Sequence, residues 1–466
     1  MKQSTKIIIA GLFVILLAVV LIVVFFFLPR NEDNSLIRPK TLYALNTDDI
    51  ESIEVQNEDA HFTFLFQDGG VTLEGYEDRY YDSTETNTVL RLSRQLQAYD
   101  TIESNVEDLS IYGLNDPQAK ATVTNTEGKK MTVLVGDMMP SNTAYYVMIE
   151  GDDTVYGVEE DYLYFYFKDQ NTFLSKRITP LYEEDTGYLF ENFELTHNGE
   201  PMISISTLSE EEEAFYNASG LYKITAPFSA IGDNANIIDY FESIGMLTAA
   251  RIQKIEFTED DLAAYNLDNP AYTLSYTYEH VENPEDVTLY FSEIENGFCN
   301  VYREGDDTIY SILAARINLH RFDQLGLVNS NQFNRDINLV ERVVIDMPDD
   351  SYVYGLNRDS GQLAVTLDNE QIDADLFTKL FKIIISSRIT DFAEKPEGAE
   401  PAVRITVRYN AEDRKNDTIA FYPLNDRLYY MELNDTGSFS VSSVYIDKLI
   451  DSIDKLNSGE DFSDTW

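Results

Sequence analysis

The sequence predicts an α+β protein in which an N-terminal transmembrane helix is followed by three tandem repeats, each a mainly antiparallel sheet with one or two packed helices. Three observations support this fold class: an uncharged apolar run near the N-terminus, two polar strings that recur at a nearly constant spacing, and short segments in which apolar and polar residues alternate. The length of 466 residues suits two to four domains, so three repeats fit the size of the chain.

The apolar run covers residues 7–28, which carry no charge and no polar side chain. A helix of that length is roughly 33 Å long, enough to cross the hydrocarbon core of a bilayer. A cleaved signal peptide has a shorter apolar region that ends in small residues, whereas this run ends in Phe-Phe-Phe-Leu. The sequence therefore predicts a cytoplasmic tail over residues 1–6, an uncleaved transmembrane helix over residues 7–28 and a linker over residues 29–43.

The charges beside this run bear on its orientation in the membrane. Lys2 and Lys6 precede it, but Arg30, Arg38 and Lys40 follow it closely on the other side. The short basic N-terminus is typical of a signal anchor. We therefore expect a single-pass protein of the cell membrane with a cytoplasmic N-terminus and the bulk of the chain outside the cytoplasm.

Two polar strings recur in the same order, with offsets of 153 and 154 residues. Residues 112–117, Tyr-Gly-Leu-Asn-Asp-Pro, match residues 265–270, Tyr-Asn-Leu-Asp-Asn-Pro. Residues 150–156, Glu-Gly-Asp-Asp-Thr-Val-Tyr, match residues 304–310, Glu-Gly-Asp-Asp-Thr-Ile-Tyr. Self-similarity at a fixed period indicates repeated structural units.

A third, more diverged copy follows these two. Ala-Glu-Pro, ending at Pro401, takes the place of the earlier Asn-Asp-Pro, and residues 403–408 then alternate as a half-buried strand does. Polar, turn-rich stretches near residues 180–185 and 330–334 separate the copies. The predicted units cover residues 44–182, 188–333 and 334–458, and a C-terminal tail covers residues 459–466.

Each copy also contains one segment in which apolar residues have helical spacing, preceded by candidate N-caps. The candidate caps are Asp82, Ser83 or Thr84 in the first copy, Asp233 in the second and Asp373 in the third. The predicted apolar faces comprise Val89, Leu92, Leu96 and Tyr99 in the first helix, Ile237, Ile238, Phe241, Ile244 and Leu247 in the second, and Leu376, Phe377, Leu380, Phe381 and Ile384 in the third.

The composition argues against several classes of function. Asp and Glu number 82 against 34 Lys and Arg, so the formal net charge is -48. Such a surface repels nucleic acid and favours cationic partners or diffusely bound divalent cations. The single cysteine, Cys299, rules out an intramolecular disulfide and a cysteine-based zinc site, and the four histidines form no local metal motif. No cofactor is predicted.

The repeated polar strings are predicted to shape turns. Gly-Asp-Asp between two strand patterns is typical of a hairpin turn, although Ca²⁺ also accepts adjacent carboxylates as ligands. No catalytic or metal-binding residue is predicted, because phosphate-binding loops, dinucleotide fingerprints, nucleophile elbows and HExxH motifs are absent from the sequence. The predicted turn residues are Tyr112, Gly113, Pro117, Gly151, Asp152, Asp153, Tyr265, Pro270, Gly305, Asp306, Asp307 and Pro401.

The order of motifs in the first copy resembles the bacterial DUF4340 family, a domain of unknown function. The string at residues 112–117 is followed by strand patterns at residues 121–124 and 130–135, by Gly136 and Asp137, and by aromatic strands at residues 145–147 and 155–158. The resemblance covers residues 44–180 well, residues 190–333 moderately and residues 334–458 only through the internal repeat. It implies an anchored extracytoplasmic protein that is an accessory partner of an ABC-type exporter, and it assigns no catalytic residue.

The leading hypothesis is a non-enzymatic envelope protein, held by residues 7–28, whose three units form a binding or assembly platform for an ABC transporter permease or another envelope protein. A second hypothesis is a module that binds cell-wall polymer or divalent cations through acidic and tyrosine-rich surfaces. A third is a hydrolase with a carboxylate pair assembled across the repeats.

Overall fold

The computed structural model describes residues 39–180, 190–216, 222–278, 284–319, 322–358, 361–410 and 416–466. These residues belong to two compact parts, one ending at Ser175 and the other running from Lys176 to Trp466. The predicted transmembrane span over residues 7–28 lies outside the described residues. Within the described ranges, no helix is both long enough and apolar enough to cross a membrane.

The first part contains one large antiparallel sheet, here called the first sheet, and a separate two-stranded sheet. Its strands in chain order are β1 Lys40–Ala44, β2 Ile50–Asn57, β3 His61–Gln67, β4 Gly70–Leu73, β5 Gln95–Ala98, β6 Asp100–Ser104, β7 Ala119–Asn125, β8 Lys130–Met138, β9 Ala144–Ile149 and β10 Thr154–Glu159. The first sheet has the order β4-β3-β2-β7-β8-β9-β10-β6, and β1 pairs with β5. The end of the predicted linker over residues 29–43 is therefore strand.

The second part contains two nine-stranded antiparallel sheets. The strands of the second sheet are β11 Phe190–His197, β12 Glu200–Thr207, β13 Tyr222–Ala226, β14 Ala230–Ile231, β15 Arg251–Ile255, β16 Tyr272–Tyr278, β17 Glu285–Phe291, β18 Phe298–Arg303 and β19 Thr308–Leu313. Those of the third sheet are β20 Val340–Asp346, β21 Ser351–Asn357, β22 Ala364–Leu367, β23 Glu370–Ile372, β24 Ile389–Phe392, β25 Val403–Tyr409, β26 Asp417–Pro423, β27 Leu428–Leu433 and β28 Thr436–Ser442.

One connection pattern occurs in all three sheets. The opening strand (β2, β11 or β20) lies in the middle, and hairpins carry the chain outward to one edge. After a helix, the chain forms the opposite edge strand (β6, β15 or β24), returns to pair with the opening strand, and runs outward again by hairpins. Every pair is antiparallel, as hairpin connections require, which confirms the prediction of mainly antiparallel sheets.

The described α-helices are α1 Ser83–Leu92, α2 Glu210–Tyr216, α3 Asn234–Gly245, α4 Glu259–Ala264, α5 Ala374–Ile384 and α6 Ser443–Asn457. Short 3₁₀ helices cover Thr47–Asp49, Leu109–Tyr112, Glu160–Phe167, Gln170–Thr172, Ala314–Arg316, Leu325–Leu327 and Ile337–Leu339. Asp82, Asp233 and Asp373 cap α1, α3 and α5, because each carboxylate accepts a hydrogen bond from a backbone N–H in the first helical turn.

The first predicted helix is shorter than its apolar spacing suggested. α1 ends at Leu92, so the prediction that Leu96 and Tyr99 extend its apolar face is wrong. Leu96 lies in β5, where the sequence Gln-Leu-Gln-Ala alternates as a strand does. Leu96 fits both the helical spacing and the two-residue alternation of a strand. It is in a strand because β5 pairs with β1.

Each sheet packs apolar residues against the helix that follows its first hairpins. In the third sheet, Phe377 and Leu380 of α5 and Tyr445 and Leu449 of α6 are fully buried against strand residues such as Ile405. In the first sheet, the 3₁₀ helix Glu160–Phe167 contributes Phe165, whose ring lies 5.8 Å from that of Phe64. Burial of these faces supplies the main driving force for folding of each sheet.

The predicted boundary at residues 330–334 falls in a buried segment. Gln332 is only 5% exposed, and its side-chain amide accepts from the Ile231 N–H at 2.8 Å and donates to the Ile231 carbonyl at 3.0 Å. Asn331 Nδ2 donates to the Ile385 carbonyl at 2.8 Å. Polar side chains are buried here because backbone groups satisfy them, and they join the edge strand β14 of the second sheet to the third sheet.

Residues 459–466, predicted to form a tail, pack on the helices of the third sheet. Phe462 is buried, and the Trp466 ring lies 5.1 Å from that of Tyr445. Asp461 forms an ion pair with Lys379, and Asp464 does so with Lys382 at 3.0 Å. The segment is therefore part of the folded unit.

Candidate functional site

The Gly-Asp-Asp strings lie in the β9–β10 and β18–β19 hairpins. Gly151 and Gly305 have φ of +86° and +79°, a conformation that favours glycine. In the first hairpin, Asp152 Oδ1 accepts from the Asp153 N–H at 2.8 Å, and Asp153 Oδ1 accepts from Thr154 Oγ1 at 3.0 Å. Asp306 and Asp307 repeat both bonds at 2.8 and 3.2 Å. These carboxylates serve the turns, and no group of three or more metal-ligating side chains occurs in the described ranges.

The second set of predicted turn residues lies at corners that precede β7, β16 and β25. Gly113 ends a 3₁₀ helix with φ of +67°, and Asn266 occupies the matching position with φ of +58°. Asparagine tolerates this left-handed conformation better than most residues do, so the substitution keeps the corner intact. Tyr112 and Tyr265 precede these two residues, and Pro117, Pro270 and Pro401 lie just before the strands, where a missing N–H costs no ladder bond.

The first corner lies very close to Gly136 of β8. A Cβ at this position would lie 2.1 Å from the carbonyl oxygen of Tyr112 and 3.0 Å from the side chain of Leu114. Neither neighbour is the far end of a flexible side chain, so only a glycine accommodates the approach. The glycine of the Gly136-Asp137 pair within β8 is thus explained by packing of the corner.

We predict that Gly136→Ala lowers the free energy of unfolding of the first sheet by about 1–3 kcal/mol, because the corner or the strand must shift. Urea unfolding of the full chain, followed by hydrogen exchange of residues 44–159, measures the loss. Gly70→Ala is the matched control in the same sheet, since its Cβ would meet only the Gln67 carbonyl at 3.5 Å. Equal stabilities of the two variants would contradict the close-contact explanation.

In each sheet, one face packs on a helix (α1, α3 or α5), and the corner before β7, β16 or β25 covers the opposite face. The side chains that lie under this corner differ between the first and second copies. In the first sheet this face is apolar, with Leu114, Leu134, Met148 and Val155 buried and Ile102 and Tyr146 packed against them. The Tyr99 ring covers Gly157 so closely that a Cβ on the glycine would lie 2.8 Å from it. The site is therefore filled in the first copy.

The second sheet carries smaller or polar residues at the equivalent positions. The backbone N–H of Ala250 bonds to the Ser311 carbonyl as that of Tyr99 bonds to the Gly157 carbonyl. In the same register, Gln253 occupies the bulge of β15 as Ile102 occupies that of β6. Asn300 pairs with Ser311 across the strands, as Tyr146 pairs with Gly157 in the first sheet. Loss of two tyrosine rings leaves a cavity in the second copy.

This cavity, here called the outer-face pocket, has a volume of about 260 Å³. Its lining is mainly polar and comes from β15, the corner, the loop after β17, and strands β18 and β19. The lining residues are Arg251, Gln253, Asn266, Ser292, Glu293, Glu295, Asn296, Phe298, Cys299, Asn300 and Ser311.

Hydrogen bonds hold several of these groups in place. Asn300 Nδ2 donates to the Tyr265 carbonyl at 3.0 Å, which fixes the corner against β18. Gln253 Nε2 donates to Asn300 Oδ1 at 3.4 Å, and Ser292 Oγ accepts from the Asn300 N–H at 2.9 Å. The pocket floor is thus preorganised by β-sheet and corner, which is the condition for a specific polar site.

The pocket lacks the features of a catalytic centre. Burial raises the pKa of the Cys299 thiol to about 12, so the thiol is protonated at neutral pH and is a poor nucleophile. Glu293 and Glu295 are both exposed on one loop. The arrangement is suited to binding.

Sequence reasoning did not find this pocket. Its residues are spread over 61 positions from Arg251 to Ser311, and most are ordinary polar residues in their own segments. The available signal was the internal comparison: the residues Tyr99, Tyr146 and Gly157 of the first copy are all replaced at the equivalent positions of the second.

Comparison with known families gives one match. Residues 93–270 match the family model described as Domain of unknown function (DUF4340). The matched stretch begins after α1 and ends at Pro270, so it joins the second half of the first copy to the first half of the second. No curated protein and no solved structure matches the chain. Over residues 93–270, the chain is therefore similar to the DUF4340 family.

Proposed function

We propose that the chain is a non-enzymatic, membrane-anchored binding or assembly protein outside the cytoplasm, and an accessory component of an ABC-type transport system in the bacterial envelope. The observation that carries the binding role is the use of the repeated polar residues: their carboxylates bond within turns of the first two copies instead of converging on a shared reactive site. Repeated units with such residues suit contact surfaces better than chemistry.

Two further features support a platform that projects from a membrane. The segment of Asn331 and Gln332 joins the second and third sheets through buried hydrogen bonds, so these two copies offer a fixed surface to a partner. The net charge of -48 repels anionic headgroups, which favours projection of the tandem copies away from the bilayer. The apolar run over residues 7–28 is the proposed anchor.

We predict that protease added to intact cells removes the part of the chain after residue 28, and that crosslinked membranes yield a transporter permease together with the chain. Deletion of residues 7–28 is expected to move the protein into the soluble fraction, because nothing else in the proposal holds it at the membrane. Fractionation and mass spectrometry of the crosslinked complex measure both effects.

A chimaera in which another transmembrane helix replaces residues 7–28 is the matched control, since it restores the anchor without the native sequence. It should return to the membrane and still recover the permease through the tandem copies. Complete protection of the chain in protease-accessible cells would reverse the proposed topology. Crosslinking that recovers no membrane protein would refute the accessory role.

A further inference from the structure

We propose that the outer-face pocket binds one neutral sugar ring of a glycan. The pocket is open in the second sheet and filled in the first, because Ala250 and Asn300 stand where Tyr99 and Tyr146 occupy the first sheet. Ser311 of the second sheet takes the position of Gly157, which must be glycine in the first sheet because the Tyr99 ring leaves no room for a Cβ. The first copy shows that this fold can fill the site with its own side chains, so the open form is a property of the second copy's residues.

The polar groups of the pocket suit vicinal hydroxyls. Four amide side chains line it, from Gln253, Asn266, Asn296 and Asn300, together with the hydroxyl groups of Ser292 and Ser311. Beyond the bonds already described, each amide keeps at least one N–H and one carbonyl lone pair. Ser292 Oγ, which donates to the Glu293 carbonyl at 3.0 Å, keeps a site that accepts. A sugar ring presents adjacent hydroxyl groups with the same dual capacity, so paired hydrogen bonds form without a change of protonation.

The charges of the pocket disfavour ionic ligands. Arg251 contributes one positive charge, and Glu293 and Glu295 contribute two negative charges, on a chain whose net charge is -48. An anion would be repelled by the two carboxylates and by the field of the whole protein. A bound cation prefers more carboxylates than this loop supplies, since Ca²⁺ takes six to eight oxygen ligands.

Size and the rim of the pocket point to a single ring of a longer chain. The volume of about 260 Å³ lies just below the ~300 Å³ at which pockets for drug-sized ligands begin. Phe298 at the rim is 37% exposed, and its cross-strand partner Leu313 is 42% exposed. An exposed aromatic ring offers an apolar face to the C–H groups of a sugar, and an open rim lets the neighbouring sugar units continue outward.

The test is saturation-transfer NMR on the full chain in a detergent without a sugar headgroup. Cellobiose and N,N′-diacetylchitobiose are the neutral probes, and galacturonate and glucosamine are the charged probes. We expect transfer to at least one neutral disaccharide. In the double variant Ala250→Tyr, Ser311→Gly, which rebuilds the filled arrangement of the first copy, transfer should fall at least tenfold.

Asn300→Tyr is a second filling variant, and it keeps the test valid if the double variant does not fold. Tyr80→Ala is the control, since Tyr80 is 75% exposed in the other compact part of the chain and should leave transfer unchanged. Melting temperatures of all variants establish that they are folded. Absence of transfer to both neutral disaccharides, transfer only to charged sugars, or transfer that persists in both folded filling variants would each overturn the proposal.

This inference deepens the proposed binding role and is independent of the anchor and of the transporter. A chain that binds neutral sugar but recovers no permease would refute the accessory role alone. A chain that recovers a permease but gives no saturation transfer would refute the sugar site alone. The two experiments therefore fail separately.

Discussion

Asp417→Asn is expected to lower the free energy of unfolding of the third sheet by about 3–5 kcal/mol, because it leaves the charge of Arg335 buried without its counterion. The two side chains are 3% and 1% exposed, and Arg335 Nε lies 2.7 Å from Asp417 Oδ2. Tyr409 donates to the same oxygen at 2.5 Å, and Asn434 donates to Oδ1 at 2.8 Å. Asparagine keeps the shape of the site, so the loss measures charge and hydrogen bonding and not volume.

Urea unfolding of the full chain, followed by hydrogen exchange of residues 340–442, measures this effect. The double variant Arg335→Met, Asp417→Asn is the matched control, since it removes both charges. It should recover most of the loss, because a buried pair replaced by neutral groups of similar volume is often close to neutral in stability. A loss below about 1 kcal/mol in Asp417→Asn would contradict the model of a dehydrated pair, since that is the range of exposed ion pairs.

This ion pair shows why sequence reasoning explained the helices better than the junctions between copies. Asp82, Asp233 and Asp373 each precede a run with helical spacing, and a cap acts within one turn, so local sequence contains the whole signal. Arg335 lies 82 positions before Asp417. A polar segment that is buried by distant partners looks in sequence like an exposed linker.

The strands divide in the same way. Alternation predicted β25, whose apolar residues are all buried, because period 2 is a property of the strand itself. It did not predict that β1 would pair with β5, or that Trp466 would pack on Tyr445, because pairing partners are set by the tertiary fold. The outer-face pocket also depends on the tertiary fold, because its polar residues come together only through the register of the sheet. The equivalence of Tyr146 and Asn300 is likewise visible only once the two copies are aligned by that register.

Phe377→Ala is expected to cost about 3–5 kcal/mol, the range for removal of a fully buried aromatic side chain. Phe377 of α5 is 0% exposed, and its ring lies 5.1 Å from that of Tyr354 and 6.4 Å from that of Phe381. Truncation leaves a cavity between α5 and the sheet that the surrounding strands cannot fully close. Hydrogen exchange at increasing urea concentration should show faster opening of residues 340–456.

Phe377→Leu distinguishes the effect of lost volume from that of the lost aromatic ring. It keeps most of the volume and should cost less than about 1.5 kcal/mol. The location of the effect matters as much as its size. Each copy has its own sheet and its own helix, so a cavity in the third core should leave exchange of residues 44–159 unchanged in both variants. Equal acceleration across the first sheet would mean that the first and third copies unfold as one unit, and it would contradict the interpretation that each copy has a separate core.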